Sequence, residues 1–219
     1  MARITAKGTG RPPGHSASEP STLARHVTIV HSDMVGSTEL AIAAGPRYPR
    51  VLARHRALIA AAVRRAGGRF LAHAGDGTLA LFDDPRDAVA AAVEAQRALR
   101  DEPWPGAGPI PRVRMGIHAG EVYDLDGEPV GLAVNLGARI MAEAAAGQVD
   151  VSDTVARALS VTGGEADPGS AAPRLADAGR HELRNHAGPV QLYQVVADGL
   201  TVVVPRTSTT TGRHLVGVA

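Results

Sequence analysis

Asp33 and Asp76 each sit in a short glycine-containing turn, the first in Ser32-Asp33-Met34-Val35-Gly36-Ser37-Thr38 and the second in Gly75-Asp76-Gly77. Carboxylates at the ends of neighbouring buried strands can hold one or two divalent ions beside a phosphate chain, with waters and phosphate oxygens completing the shell. The run Val35-Gly36-Ser37-Thr38 is small enough to bring backbone N–H groups near a triphosphate as the chain turns toward a helix. Asn135 and Arg139 are four residues apart on an expected helix and project from one face. Asn can orient a hydroxyl or ring oxygen, and Arg offers a fork of donors to charge developing on a transferring phosphoryl group. Arg114 lies inside an apolar strand. At the sheet edge it would hold terminal phosphates; otherwise it belongs to an acid pair, with Glu121 as the candidate partner. Each of these residues also has a plain reading, in which the aspartates cap turns and the Asn and Arg solvate a helix.

Other residues offer less chemistry. His31, His73 and His118 lie beside turns without a zinc spacing and read as structural or surface residues. Ser37 lacks the strand-to-helix elbow of a serine nucleophile. There is no cysteine, which excludes thiol catalysis, disulfides and cysteine-held metal.

The elements that must position these residues follow from the pattern along the chain. Residues 1–24, rich in Gly, Pro, Ser and Thr, read as a mobile extension. A strand over 25–32 leads into Asp33. An alanine-rich helix over 50–66 carries Leu52, Ile59 and Val63 at helical spacing and stops at Gly67-Gly68. A tight hairpin over 70–82 places Asp76 at its turn, and a second helix, capped by Asp83 or Asp84, runs to about residue 100. Trp104 falls in a proline-flanked loop. A strand over 112–118 enters a turn at 119–121, and the acidic stretch 123–129 reads as a protruding loop. A helix from 131 or 132 to 146 ends at Gly147. It is followed by a short strand at 149–152, a short helix at 153–159, a loop at 161–172 and a closing hairpin of 180–184 with 190–196. Residues 198–219 read as an irregular extension that docks on the domain or on a partner. The order fits an antiparallel-rich sheet with helices on one side, a split α/β arrangement. No dinucleotide fingerprint or Walker lysine motif is present.

The chain of 219 residues is long enough for one good core plus tails, and its formal net charge of +1 gives no reason to expect a nucleic-acid or membrane partner. With one Trp, three Tyr and two Phe, small side chains must fill much of the core. The early positive charge is not followed by an apolar segment, so a signal peptide is not expected, and the stretch 58–63 is too short to span a bilayer. A cytoplasmic protein is the expectation.

Taken in order, Ser32-Asp33-Met34-Val35-Gly36-Ser37-Thr38, Ala74-Gly75-Asp76-Gly77, Val113-Arg114-Met115-Gly116-Ile117-His118-Ala119-Gly120 and Val134-Asn135-Leu136-Gly137-Ala138-Arg139 closely resemble the class III nucleotidyl cyclase homology domain. A weaker end motif, His181-Glu182-Leu183-Arg184-Asn185-His186 followed by Gln191-Leu192-Tyr193, completes the likeness, which covers about 25–197. The resemblance implies a ferredoxin-like α+β domain working as a head-to-tail homodimer, with active sites made between protomers. One protomer would supply Asp33, Asp76 and the Met34 carbonyl for two Mg2+ or Mn2+ ions, the turn Val35, Gly36, Ser37 and Thr38, and Arg114 for the phosphates. Its partner would supply Asn135 to place the ribose and Arg139 to stabilise the transition state. Arg184 or His186 stands near the family's phosphate-binding lysine. The implied substrate is a nucleoside triphosphate, whose 3'-oxygen attacks the α-phosphorus to give a 3',5'-cyclic nucleotide and pyrophosphate.

Two positions depart from the pattern. Where adenylate-specific members carry a base-reading lysine and aspartate, this chain has Ala72 and Glu128. Glu128 keeps an acceptor for an exocyclic amine, whereas Ala72 offers no donor, and Lys7, the chain's one lysine, lies far away in the N-terminal extension. Losing one charged hydrogen bond weakens base discrimination by roughly 1.5–3 kcal/mol. ATP is the leading substrate expectation, with a pyrimidine or relaxed-specificity cyclase as the alternative. A nucleotide-binding domain without activity and a protein-binding scaffold are the rival functions.

Overall fold

A computed structural model describes residues 21–72, 75–104, 110–162 and 173–202. The expectations for 1–20, His73, Ala74, 163–172 and 203–219 lie outside those residues. The described chain runs β1 (Ser21–Val35), α1 (Ser37–Ala44), a 3-10 turn (Gly45–Arg47), α2 (Tyr48–Arg65), β2 (Arg69–Ala72), β3 (Thr78–Phe82), α3 (Pro85–Asp101) and β4 (Arg112–Leu125). It continues through β5 (Glu128–Val130), α4 (Leu132–Glu143), β6 (Val149–Ser152), α5 (Asp153–Thr162), β7 (Arg174–His181) and β8 (Val190–Val196). The strands form one sheet in the order β2-β3-β1-β4-β6-β8-β7, with β5 added on β4. The β4–β6 pairing is parallel and the others are antiparallel.

Strand alternation sends neighbouring residues to opposite faces of this sheet. Val30, Ala80, Phe82, Met115 and Ile117 pack with Ile59 and Val63 of α2 and Val89 and Val93 of α3 in the larger cluster. Val27, Ile29, Leu79 and Leu81 point the other way, toward Ala133 and Val134 of α4. The sheet is therefore covered on both faces, which corrects the expectation of helices on one side. Alternation in β1 carries the reason, because its two apolar sets each need a cover. Full burial of a side chain such as Ile29 is worth about 1.5–3 kcal/mol.

α4 lies very close to the sheet because glycines line its path. A Cβ at Gly116 would stand 2.2 Å from the Met141 nitrogen, and one at Gly137 would stand 2.9 Å from Cδ2 of His31. The helix ends at Glu143 rather than 146, since Ala144 is extended and the Gly147 amide turns to the Val113 carbonyl at 2.7 Å. α3 starts as expected, with Asp84 accepting from the Arg86 amide at 2.8 Å.

Several other boundaries differ from the sequence expectation. β1 runs from Ser21, and its continuation before Arg25 pairs with Asp124 after a register shift. The anticipated turn at 119–121 is uninterrupted strand, because β1 pairs with β4 from Val35–Arg112 through Arg25–Val122. The anticipated loop at 123–129 is a hairpin: β5 folds back on β4, with Asp126 and Gly127 at positive φ in the turn. β7 is Arg174–His181, and Leu183 after it buries its side chain beside Ile140 of α4. Residues 161 and 162 belong to α5. Trp104 leaves its loop partly buried, donating from Nε1 to the Leu99 carbonyl at 3.0 Å. After β8, Leu200 packs on the main core and the Thr201 amide donates to the Gly147 carbonyl at 3.1 Å.

Candidate active site

Asp33 stands near the end of β1, and Asp76 in the turn between β2 and β3; β3 pairs beside β1. A hydrogen bond joins the two positions, the Met34 amide donating to Oδ2 of Asp76 at 3.2 Å. The Asp76 turn is tied on its other side by Arg56 of α2, whose guanidinium donates to the Gly75 carbonyl. The Met34 side chain is buried with Leu40 and Val51, which fixes the backbone on which its carbonyl sits. Gly36, at φ 70°, lets the chain leave β1 and enter α1 directly. Ser37 and Thr38 thereby open the helix, and Val35 stays 42% exposed.

Arg114 pairs with Asp33 in the β1–β4 register. Its Nε and one terminal nitrogen donate to Oδ2 of Asp33 at 3.1 and 2.7 Å, and the other terminal nitrogen donates to the Ala142 carbonyl at 3.1 Å. The acid partner is thus Asp33 rather than Glu121, which lies opposite His26. The two side chains are 29% and 27% exposed, so solvent screens this pair less than a surface one.

Asn135 and Arg139 share a face of α4, as their spacing requires. Together with Ala138, Ala142, Glu143, Arg184 and Asn185 they line an open groove of about 350 Å³. Neither side chain has a hydrogen-bond or ion-pair partner among the described residues. Of the two weaker phosphate candidates, Arg184 lines the groove, whereas the His186 ring donates to the Gly188 carbonyl at 3.2 Å. Glu143 at the groove's edge meets Nδ1 of His181 at 3.2 Å. Behind it, burial pushes the Asp150 carboxyl up to about 6, against the pull of His181.

The base positions fall on opposite sides of the apolar face of β1 and β3. Ala72 ends β2 opposite Thr78, and Glu128 is exposed at the start of β5 opposite Leu125. Arg69 links these elements by donating to the Gly127 carbonyl at 3.3 Å.

Two expected structural histidines are buried. Nε2 of His31 donates to the Val134 carbonyl at 2.9 Å, and Nδ1 of His118 shares a hydrogen bond with Ser152 at 2.9 Å. Burial pushes His118 down to about 4. His55 and Arg56 of α2 were not singled out by sequence. His55 is fully buried with neither ring nitrogen hydrogen-bonded, and burial lowers it to about 4 although Asp76 pulls the other way. The Arg56 bond to the Asp76 turn joins residues 19 positions apart and leaves no local signal.

The donor set at Asp33 and Asp76 suits hard divalent cations: two carboxylates from adjacent strand ends, with a backbone carbonyl between them in sequence. Among the described residues no group of three or more His, Cys, Asp or Glu could hold a metal by itself. Two carboxylates that rely on substrate oxygens for the remaining positions are the usual provision for Mg2+ bound with a phosphate chain.

The sheet order, the strand-end carboxylates and the Asn–Arg helix define a nucleotide-cyclase type of domain. An adenylate/guanylate cyclase/hydrolase structure from Silicibacter pomeroyi is similar, with 30% identity, coverage of 81% of this chain and 99% of that one, and a TM-score of 0.65. The adenylyl cyclase CyaB of P. aeruginosa shares the fold at 22% identity, 80% and 95% coverage and a TM-score of 0.63. A pH-sensitive adenylate cyclase of Mycobacterium tuberculosis is 27% identical over 180 residues, 82% of this chain. The chain spans 43% of that relative's length. No protein-family model matches. The chain belongs to the class III nucleotidyl cyclase family.

Proposed function

We propose that the chain is a homodimeric nucleotide cyclase that converts a nucleoside triphosphate, ATP first among them, to its 3',5'-cyclic monophosphate and pyrophosphate. The observation that carries this reading is the division of the site on one chain. The carboxylates are fixed by internal bonds, while Asn135 and Arg139 face an open groove with no side-chain partner among the described residues. A head-to-tail dimer joins one chain's carboxylates to the other chain's groove. Exposed apolar side chains support such a cover: Leu132, 87% exposed at the start of the helix that lines the groove, and Tyr123, Leu125 and Val130 of the β4–β5 hairpin that precedes it.

In this arrangement Asp33, Asp76 and the Met34 carbonyl hold two Mg2+ or Mn2+ ions, which when bound supply Lewis-acid stabilisation of the 3'-oxygen and of the triphosphate charge. The backbone of Val35, Gly36, Ser37 and Thr38 receives phosphate oxygens at the start of α1. Arg114 binds the terminal phosphates, joined by Arg184 or His186 from the other chain. Asn135 orients the ribose so that its 3'-oxygen lines up with the α-phosphorus. As the new phosphorus–oxygen bond forms, the bond to pyrophosphate breaks, and Arg139 stabilises the charge that develops. The hydroxyl proton leaves to substrate or solvent. Glu128 accepts from an exocyclic amine, and Ala72 leaves the opposite side of the base unread.

Incubation of the purified chain with ATP, GTP, CTP and UTP in turn, with Mn2+ and product identification by mass spectrometry, tests the reading. A cyclic monophosphate with stoichiometric pyrophosphate is expected from at least ATP. Absence of cyclic product from a verified dimer with all four overturns it, and tight binding without turnover assigns the chain to regulation instead.

A further inference from the structure

The bonds of Arg114 go beyond a phosphate-binding role. Two of its donors meet one oxygen of Asp33 and the third meets the carbonyl of Ala142, so a single guanidinium joins a cation ligand to the last turn of α4. Three residues earlier on that helix stands Arg139. A cation approaching Asp33 finds the carboxylate neutralised, and repulsion from the guanidinium opposes its binding. A triphosphate offers the same guanidinium several charged oxygens in the geometry that its planar fork prefers.

We propose that Arg114 is an exchangeable counter-ion, which holds Asp33 until a triphosphate draws the guanidinium away and so opens the carboxylate to a divalent ion. The inference rests on the reading of Asp33 as a cation ligand. Nucleotide and cation then bind with positive coupling, each clearing the way for the other. The same transfer releases Ala142, and with it the end of the helix that carries Asn135 and Arg139. In a head-to-tail dimer those residues serve the other site, so Arg114 connects the two sites through one chain.

The test is Mn2+ binding to the full chain, followed by electron paramagnetic resonance, with and without a 3'-deoxynucleoside triphosphate that has no attacking hydroxyl. Wild type is expected to bind Mn2+ weakly alone and much more tightly with the nucleotide. Arg114→Gln is expected to bind Mn2+ alone about tenfold more tightly than wild type, and to lose most of the gain from nucleotide. Arg114→Lys, which keeps the charge but cannot reach both Asp33 and Ala142, is expected to fall between them and serves as the second variant should the first fold poorly. Loss of the Ala142 bond is also expected to speed amide exchange over 143–147. Nucleotide-free Mn2+ affinity in Arg114→Gln no higher than in wild type, with Asp33→Asn weakening both, overturns the counter-ion role alone. Mn2+ binding that Asp33→Asn leaves unchanged in wild type overturns the cation reading of Asp33 and the counter-ion role with it.

Discussion

At the strand-end site each candidate cation ligand is tied to a neighbour: Asp76 to the Met34 amide, Asp33 to Arg114, and the turn that carries Asp76 to Arg56. Across α4, Asn135 and Arg139 face a groove and make no such bond among the described residues. A site that must hold charge gains from carboxylates held in place, because they need not move when the charge arrives and only the Arg114 guanidinium has to be exchanged. In the proposed dimer, the groups assigned to the ribose and the transition state are completed by substrate and a second chain, which accords with their standing open in a single chain. The two regions therefore differ in what a mutation removes.

The largest effect is expected at the fixed end. Asp33→Asn or Asp76→Asn lowers turnover by about a thousandfold or more while leaving the fold intact, since each loses a charged ligand but keeps its shape. Steady-state rates with Mn2+ beside thermal melts check this. On the groove side, Arg139→Ala lowers kcat by about a hundred- to a thousandfold with little change in KM, as expected for a group engaged only in the transition state. A loss confined to KM contradicts that assignment.

Acid acts on both regions alike, because each rests on a buried histidine held at about 4 by burial, His55 near Asp76 and His118 beneath α4. In the unfolded chain both take a proton near pH 6.5, so their contribution to stability is complete above that value and is lost as pH falls toward 4. The expected loss is on the order of 3 kcal/mol per histidine at pH 4, read from denaturant melts across that range. His55→Leu is expected to flatten part of the slope without breaking a hydrogen bond, whereas His118→Leu flattens it at the cost of the Ser152 bond. The smallest effect is assigned to Arg56→Ala, which frees the Gly75 carbonyl and lowers kcat/KM by about tenfold through a looser Asp76, with the Mn2+ requirement rising alongside.

What the sequence made legible follows the same division between local and long-range signals. The pairing of β2 with β3 around Asp76, a cap at Asp84 as one of two candidates, and the shared face of Asn135 and Arg139 depend on residues near one another in sequence, and all three are present. The Asp33–Arg114 pair depends on the β1–β4 register, which joins residues 81 positions apart, and so Glu121, close by in sequence, was the partner at hand. Gly120 looked like a turn residue, yet it lies in a continuous strand where the Ala133 side chain of α4 comes within 2.9 Å of its Cβ direction. Glycine there makes room for a helix that the local pattern could not place. The second face of the sheet went unread for a related reason, because alternation in β1 shows two apolar sets without naming what covers each.

The claim that one site is shared between two chains is tested most directly by mixing two inactive variants. Asp33→Asn damages only the fixed half-site, and Arg139→Ala only the groove. Unfolded or dissociated together and reassembled in equal amounts, they form heterodimers in which one of the two sites has all its native residues. Activity should return to roughly a quarter of the wild-type rate, since half of the dimers are mixed and each mixed dimer has one sound site. Heterodimers verified by native mass spectrometry that stay as inactive as either parent would contradict the shared site.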